Sequence, residues 1–184
     1  MLIIKIILLF LPSTIKIKLY RLMGAKIDHS CYIGFSLIDA KKIEIGPCVY
    51  IGHFNLLWRL KSLKLASGSR ITLFNWITGG REGKFVLGRN SSMSFGHFLE
   101  TSSNIKIGEN CIIGGRYSQF YSHGITPNDL DFRSPIEIGN WCYIGSAALF
   151  VPGTRISDYS FVGMGTVVTK KNYGKLCPNS RQSG

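Results

Sequence analysis

The sequence predicts an all-β protein that winds as a single parallel β-helix, and a stretch near its C-terminal end provides the main evidence. Between Ile136 and Thr169 a large apolar residue returns at every sixth position, and a small residue follows four positions later. The large residues are Ile138, Ile144, Phe150, Ile156, Val162 and Val168, and the small ones are Cys142, Ala148, Thr154, Ser160 and Thr166. Because six is not a multiple of 3.6, no face of an α-helix can hold this register.

A six-residue unit with one large and one small inward position is typical of a chain that bends after each short strand. Three bends close one coil, so each residue stacks on the residue eighteen positions later. Glycines recur at the bends, where a side chain would clash. The predicted stacked pairs are Ile138 with Ile156, Ile144 with Val162, Phe150 with Val168 and, near the N-terminus, Ile27 with Ile45.

Three runs in this stretch, IGNWCYIG, VPGTRI and VGMGTVVTK, resemble the hexapeptide-repeat acyltransferases. The common run of that family is close to IGDxVWIGxxAxxxPGVxIGDxxVIGAGSVVTKD. The resemblance covers the last third of the chain closely and most of the rest loosely. It implies a left-handed β-helix, which is an exception to the usual right-handed crossover. It further implies homotrimers and acetyl-CoA as the donor substrate.

Length and charge limit the alternatives. A chain of 184 residues with a net charge of +12 is expected to form one domain with an anionic partner. Nucleic acid, a membrane surface and a phosphorylated small molecule all fit that charge. Since the basic residues are scattered and no nucleic-acid module is recognisable, we expect no nucleic-acid partner.

Five cysteines occur without a CxxC pair, which argues against a zinc site and against a disulfide framework. Their odd number fits a reducing cytoplasm. Cys31, Cys111 and Cys142 each follow a large inward position by four residues, so they are predicted to be small core residues.

Residues 1–23 form an apolar and basic N-terminal segment. The run MLIIKIILLFL is too short to cross a membrane as a helix, and Lys5 interrupts it as a secretory signal. Two interpretations stay open. In the first interpretation, the segment contacts an anionic membrane through its apolar residues and through Lys16, Lys18 and Arg21. The protein would then be cytoplasmic and peripherally bound to the inner face of the membrane. Alternatively, it caps the apolar end of the first coil.

The coil itself is predicted over residues 24–169, followed by a polar tail at 170–184. Its hexads falter at Asp39 and weaken over residues 53–84, where aromatic and basic side chains mix. The largest break lies between Ile113 and Ile138 and includes HGITPNDLDFRSP. A loop is therefore predicted to leave the coil there, and such loops often carry functional residues.

His123 opens this excursion. Transfer of an acyl group to a hydroxyl requires a base for the hydroxyl proton, and imidazole suits that role at neutral pH. In the family that the chain resembles, the catalytic His stands before a loop that precedes a PxxIG run, and His123 matches that place. We therefore predict His123 as the general base. Asp129 or Asp131 is a candidate to orient His123 or to bind the acceptor, although both would also suit a solvated turn.

The resemblance also implies a donor groove along the C-terminal coils, between two subunits, with lysines at the CoA phosphates. The matching positions are Gly145, Ser146 and Ala147, then Gly163, Met164, Gly165 and Thr166, and finally Lys170 and Lys171. Backbone N–H groups of Gly145 and Ser146 are candidate oxyanion donors.

The other histidines are predicted to fill structural positions, with His29 and His53 in early coils and His97 directed inward. A zinc site of the γ-type carbonic anhydrase kind requires HxxxxH spacing, which the chain lacks. No metal is predicted.

Residues and resemblance together predict an acetyl-CoA-dependent O-acetyltransferase. Its expected acceptor is a hydroxyl of a sugar or glycan intermediate in capsule, O-antigen or exopolysaccharide synthesis, and transfer is direct. Two alternatives stay open: an acetyltransferase for serine or another small molecule, and a catalytically inactive β-helix scaffold at a membrane.

Overall fold

A computed structural model describes residues 2–126, 129–169 and 171–173. Two helices come first, α1 (Leu2–Phe10) and α2 (Ser13–Leu22). The strands are short, and they follow in chain order as β1 (Lys26–Ile27), β2 (Tyr32–Ile33), β3 (Leu37–Ile45), β4 (Tyr50–Ile51), β5 (Leu56–Leu65), β6 (Arg70–Leu73), β7 (Trp76–Thr78), β8 (Lys84–Leu87), β9 (Ser92–Phe95), β10 (Phe98–Glu100), β11 (Ile105–Ile107), β12 (Ile112–Arg116), β13 (Gln119–Tyr121), β14 (His123–Thr126), β15 (Asp129–Arg133), β16 (Ile136–Ile138), β17 (Tyr143–Ile144), β18 (Leu149–Phe150), β19 (Arg155–Ile156), β20 (Phe161–Val162), β21 (Val167–Val168) and β22 (Lys171–Tyr173).

These strands wind into a parallel β-helix of seven coils, which confirms the predicted fold class. The first face contains β1, β8, β11, β16, β19 and β22; the second contains β2, β4, β6, β9, β12, β17 and β20; the third contains β7, β10, β13, β18 and β21. The long strands β3 and β5 bend around the corner that joins the third face to the first. Among the strands of the described residues, only β14 and β15 leave the coil, as an antiparallel pair.

All four predicted stacked pairs are observed in the registers of β1 with β3, β16 with β19, β17 with β20, and β18 with β21. The middle coils are longer. Tyr50 pairs with Arg70, and Arg70 pairs with Ser92, which are steps of 20 and 22 residues. Extra residues at the corners therefore explain why the hexad signal weakens over residues 53–84. The solenoid also continues through β22, beyond the predicted boundary at Thr169.

Buried polar side chains stack under the corner between the second and third faces. Asn75 Nδ2 donates to Asn55 Oδ1 at 3.0 Å, and the backbone N–H of His97 donates to Asn75 Oδ1 at 3.0 Å. Ser118 N–H continues the ladder by donating to His97 Nδ1 at 3.2 Å. These side chains satisfy backbone groups that the tight corner leaves unpaired.

His97 points inward, as predicted, but it is only half satisfied. Its side chain is fully buried, and within the described residues its Nε2 has no hydrogen-bond partner. Burial lowers the pKa of His97 to about 4, so the imidazole is neutral at neutral pH. The inward structural position predicted for His97 is therefore confirmed, with one of its two nitrogens bonded in the ladder.

Cys31, Cys111 and Cys142 are buried and confirmed as small core residues. Cys142 N–H approaches Cys111 Sγ at 3.4 Å in the adjacent coil. This pairing raises the pKa of Cys111 and lowers the pKa of Cys142 to about 7.

One face of α2 covers the open edge of the first coil. Ser13 Oγ accepts a hydrogen bond from Ile33 N–H at 2.9 Å, and Tyr20 donates its hydroxyl to Ile38 O at 3.2 Å. Lys16 is fully buried between them and donates to the carbonyl oxygens of Ile33 and Gly34. Burial lowers the pKa of Lys16 to about 8. Side chains spaced along one helix face thus satisfy edge groups that would otherwise be available to another chain.

The helix α1 is attached by an ion pair. Lys5 and Asp39 are both buried, and Lys5 Nζ bonds Asp39 Oδ1, while Arg81 Nη2 lies 3.7 Å from Asp39 Oδ2. Asp39 is the residue at which the hexads falter, and Lys5 is the charge that interrupts the N-terminal apolar run. In the part of the chain described here, no helix has the length and hydrophobicity to span a bilayer.

Candidate active site

The excursion between Ile113 and Ile138 is a β-hairpin that stands on the corner between the third and first faces. Its neck is closed by Ser134 N–H, which donates to Ser122 O at 2.9 Å. The buried Ser122 hydroxyl donates to Glu100 O at 2.8 Å and accepts from Ser103 N–H at 2.8 Å. Because Glu100 and Ser103 belong to the preceding coil, the hairpin rises from a fixed base.

His123 is the first residue of the hairpin, and its backbone pairs with Arg133 on the returning strand. Its imidazole is 40% exposed, so it lies outside the core and within reach of a substrate. Nε2 of His123 lies 3.3 Å from Oδ1 of Asp131. The structure thus brings together two of the predicted site residues, a histidine and a carboxylate.

Arg133 completes this group, and the sequence analysis missed it. Its Nε donates to Asp131 Oδ1 at 2.8 Å, and its Nη2 donates to Oδ2 at 2.7 Å. The hydrogen bond from Arg133 holds the pKa of Asp131 below its usual range, and Asp131 raises the pKa of Arg133. The D-x-R spacing on a strand places both side chains on one face, which could have indicated this pair.

Asp129 lies nearer the hairpin tip, where its backbone pairs with Thr126. Residues 127 and 128 between them lie outside the described residues. The carboxylate found beside His123 is therefore that of Asp131, and the role predicted for Asp129 stays a prediction.

The predicted donor residues lie at another corner, between the second and third faces, which we call the donor corner (residues 145–147 and 163–166). In earlier coils this corner carries Phe54, Phe74 and Tyr117, whose side chains are more than half exposed and whose φ angles are positive. In the last two coils the equivalent positions are Ala147 and Gly165, also with positive φ. Gly96 holds this position in the coil between Phe74 and Tyr117. The corner thus carries an aromatic ring in three earlier coils and none in the last two.

The bare part of the corner fits a chain-like ligand. A Cβ added to Gly165 would meet nothing within 4 Å, whereas one added to Gly145 would lie 2.8 Å from Met164 N. Gly165 therefore leaves open space, and Gly145 allows close stacking of the coils. Met164 is 78% exposed and forms one wall of this surface.

Backbone bonding corrects one detail of the prediction. Gly145 N–H donates to Val162 O at 2.8 Å, and Ala147 N–H donates to Arg116 O at 2.8 Å. The Gly145 N–H is therefore used by the coil and is not an available oxyanion donor. Ser146 contributes its hydroxyl oxygen, which accepts from Arg116 N–H at 3.3 Å.

Of the two predicted phosphate-binding lysines, Lys170 lies outside the described residues. Lys171 begins β22, whose backbone pairs with Arg155 on the first face. Their contact with CoA stays a prediction.

The hairpin and the donor corner lie on opposite sides of the third face. In the coil that contains β16, β17 and β18, residues 145–148 precede β18 and residues 151–154 follow it, below the hairpin. A cavity of about 310 Å³ on this face is lined by Gly96, Phe98, Tyr117, Gln119 and Tyr121. Within one copy of the chain, His123 and the donor corner are therefore separated by the width of the third face.

We found no group of three or more His, Cys, Asp or Glu side chains that could hold a metal ion within the described residues. His123 and Asp131 have Arg133 as their third neighbour, and a guanidinium is not a metal ligand.

Comparison with known proteins agrees with this fold. A family model for the hexapeptide repeat of succinyl-transferase matches residues 104–125 and 135–170. The gap between the two matched ranges contains most of the hairpin. The match covers about a third of the chain, and together with the parallel coil it confirms the resemblance to the hexapeptide-repeat acyltransferases over those residues.

The chain is 32% identical over 89 residues to the galactoside O-acetyltransferase of Escherichia coli (strain K12). The aligned part is 46% of this chain and 44% of that protein, so the chain covers less than half of the relative's length. No solved structure matches the chain.

Proposed function

We propose that this protein is an acetyl-CoA-dependent O-acetyltransferase that modifies a hydroxyl of a sugar or glycan intermediate of envelope polysaccharide synthesis. The observation that carries the proposal is the half-exposed His123 beside Asp131 at the foot of the hairpin. The hexapeptide-repeat match and the partial similarity to an O-acetyltransferase support acyl transfer.

In the proposed reaction one imidazole nitrogen of His123 takes the proton of the acceptor hydroxyl while the oxygen attacks the thioester carbon. The other nitrogen faces Asp131, whose carboxylate stabilises the imidazolium that forms. Collapse of the tetrahedral intermediate breaks the carbon–sulfur bond. The CoA thiolate leaves and recovers the proton from His123, so the products are the O-acetyl ester and CoA.

Arg133 supports this role of Asp131. Because the guanidinium holds the pKa of Asp131 low, the carboxylate is ionised throughout the neutral range. A negative charge beside His123 favours the protonated intermediate, whereas a neutral side chain there would not.

The proposed donor corner lies too far around the coil to serve His123 of the same copy, so the site is completed by a neighbour. A contact between the donor corner of one copy and the hairpin corner of the next is heterologous, and such contacts form a ring when the rotation between copies closes. The resemblance implies that the ring is a trimer.

The third face has the composition that such packing needs. Its outward column is apolar except for Gln119 and consists of Leu37, Leu56, Trp76, Phe98, Gln119, Leu149 and Val167. The first face instead alternates charges, as in the stacked Lys26, Glu44 and Lys64. A second outward column on the third face is more polar and contains Thr78, Glu100 and Tyr121. An apolar column of this length on a monomer would still be unusual.

The direct test uses isotope-labelled acetyl-CoA and pooled glycan acceptors, with serine as a separate acceptor. We expect label in the glycan fraction and a loss of roughly 10²–10⁴-fold in His123→Ala. His29→Ala is the matched control, because the His29 side chain is 87% exposed near the other end of the coil. Transfer to serine would favour a small-molecule acetyltransferase, and absence of any transfer would favour an inactive scaffold.

A further inference from the structure

The two N-terminal helices expose an apolar surface that the proposed reaction does not use. On α1 the exposed side chains are Ile6, Ile7 and Phe10, and on α2 they are Ile15 and Leu22. We call these five residues the N-terminal patch. Phe10 is 70% exposed and Leu22 is 83% exposed, which is far more than isolated apolar residues on a surface usually show.

The capping contacts fix the direction in which this patch faces. Ser13, Lys16 and Tyr20 bind the edge of the first coil, so this side of α2 is directed toward the solenoid. Ile15, Lys18 and Leu22 recur at helical spacing on the other side. Likewise Lys5 and Leu8 of α1 are buried while Ile6, Ile7 and Phe10 are not. The exposed sides of both helices are therefore turned away from the coil that they cover.

Charge on these helices is of one sign. No acidic residue precedes Asp28 in the chain. Lys5 is neutralised by Asp39 and Lys16 is buried against carbonyl oxygens, which leaves Lys18 and Arg21 exposed beside the patch. Asp28 lies near Arg21 at the end of α2, but α1 and α2 themselves carry only cations. Apolar side chains beside such cations match an anionic lipid surface, where rings and aliphatic chains enter the headgroup region and cations meet phosphates.

A second copy of the chain fits this surface less well. A symmetric contact would bring Lys18 and Arg21 of both copies together, and like charges at an interface oppose association. We infer that the N-terminal patch docks the protein peripherally on an anionic membrane, with α1 and α2 lying between the bilayer and the first coil. This capping and this docking use opposite sides of the same helices, so one does not exclude the other.

The ring of copies that the proposed function requires would strengthen this docking. This step of the inference therefore rests on the proposed function. Copies related by rotation about an axis parallel to their coils present all of their N-terminal patches on one side. Several weak contacts with one bilayer then act together.

Co-sedimentation of the full chain with vesicles tests the inference. Vesicles of phosphatidylcholine with 30 mol% phosphatidylglycerol, roughly a physiological anionic content, are compared with pure phosphatidylcholine. We expect binding to the anionic vesicles that weakens as salt is added. Phe10→Glu with Leu22→Glu should reduce it at least tenfold, and Lys18→Glu with Arg21→Glu should abolish the preference for anionic lipid.

The matched control is Trp141→Glu with Tyr159→Glu, which introduces the same two charges on aromatic side chains that are 56% and 59% exposed in late coils. It should bind like the wild type. Circular dichroism confirms folding of each variant, and acetyl transfer without vesicles is measured separately, so failure of docking is distinguished from failure of the proposed function. The inference is overturned if the wild type stays in the supernatant, or if the patch variants bind equally well. It is also overturned if those variants change only the mass in solution, because the patch would then be a contact between copies.

Discussion

His123 Nε2 and Asp131 Oδ1 lie 3.3 Å apart across the antiparallel hairpin, and Arg133 donates to both oxygens of the same carboxylate. This arrangement places an ionised acid against the imidazole. It links the rate of the proposed reaction to the charge of Asp131.

The first prediction distinguishes the role of Asp131 from that of Arg133 by the pH dependence of the rate. Asp131→Asn should lower kcat at least about tenfold at every pH at which Asp131 is ionised, because the imidazolium loses its counter-charge. Arg133→Gln should leave the rate at neutral pH within a few-fold. Without Arg133 the pKa of Asp131 rises toward its ordinary value. The acidic limb of the pH–rate profile should therefore move to higher pH in this variant. Superimposable pH–rate profiles for Arg133→Gln and wild type would contradict this role.

The second prediction concerns the donor corner. Ala147→Trp should weaken CoA binding at least about tenfold, as measured by calorimetry, because the ring would fill the bare end of the corner. The fold should tolerate the change, since Phe74 and Tyr117 occupy equivalent positions with positive φ. Phe74→Trp, three coils earlier, is the control and should bind CoA normally. Undiminished CoA affinity in Ala147→Trp would mean that the groove lies elsewhere.

A third prediction tests whether the active site is formed between two copies of the chain. Trp76→Asp and Phe98→Asp should each reduce the mass in light scattering to that of one 20.5 kDa chain, with loss of acetyl transfer. The physical reason is the cost of burying a carboxylate in an apolar contact. Val86→Asp, outward on the first face, should change neither property. If the third-face variants keep a multimeric mass, another face forms the contact.

Stability should depend on pH through His97. Its folded-state pKa of about 4 is below the unfolded value, so the unfolded chain binds more protons between these two values. The stabilisation is therefore complete above pH ~6.5 and is lost as pH falls toward 4, by up to about 3 kcal/mol. His97→Asn, which resembles Asn75 in the ladder, should remove this slope in urea titrations between pH 4 and 8. A wild-type slope retained in the variant would assign the effect to other groups.

The last prediction concerns the buried pair of Lys5 and Asp39. Asp39→Leu alone should destabilise the fold by about 3–5 kcal/mol, because it leaves Lys5 buried without a partner. Adding Lys5→Met should recover most of that loss in the double variant. The exposed pair of Lys42 and Glu44, 2.9 Å apart, is the control. Lys42→Met should cost less than about 1 kcal/mol. Equal losses of unfolding free energy for the two pairs would show that burial does not determine the contribution of Lys5 and Asp39.

The sequence alone determined the coil and its local register. Stacking of Ile138 on Ile156 follows from a six-residue repeat that each short strand and bend enforces separately, so neighbouring residues suffice to predict it. His123 was predicted because it opens the largest break in that repeat and because it matches the place of the catalytic His in the family that the chain resembles, and its role stays a prediction. The hairpin made from this break, and Arg133 beside Asp131, required the pairing of its two strands.

Only the tertiary structure decided which distant groups meet. Lys5 and Asp39 each looked like an interruption of an apolar pattern, and their ion pair explains both. The separation of His123 from the donor corner likewise depends on which bends lie at the same corner of the β-helix. Because the coils differ in length, the sequence spacing alone does not reveal this. The physical reason is that hexads report whether a side chain points inward or outward, whereas the position of a corner around the rod depends on the accumulated length of the preceding coils.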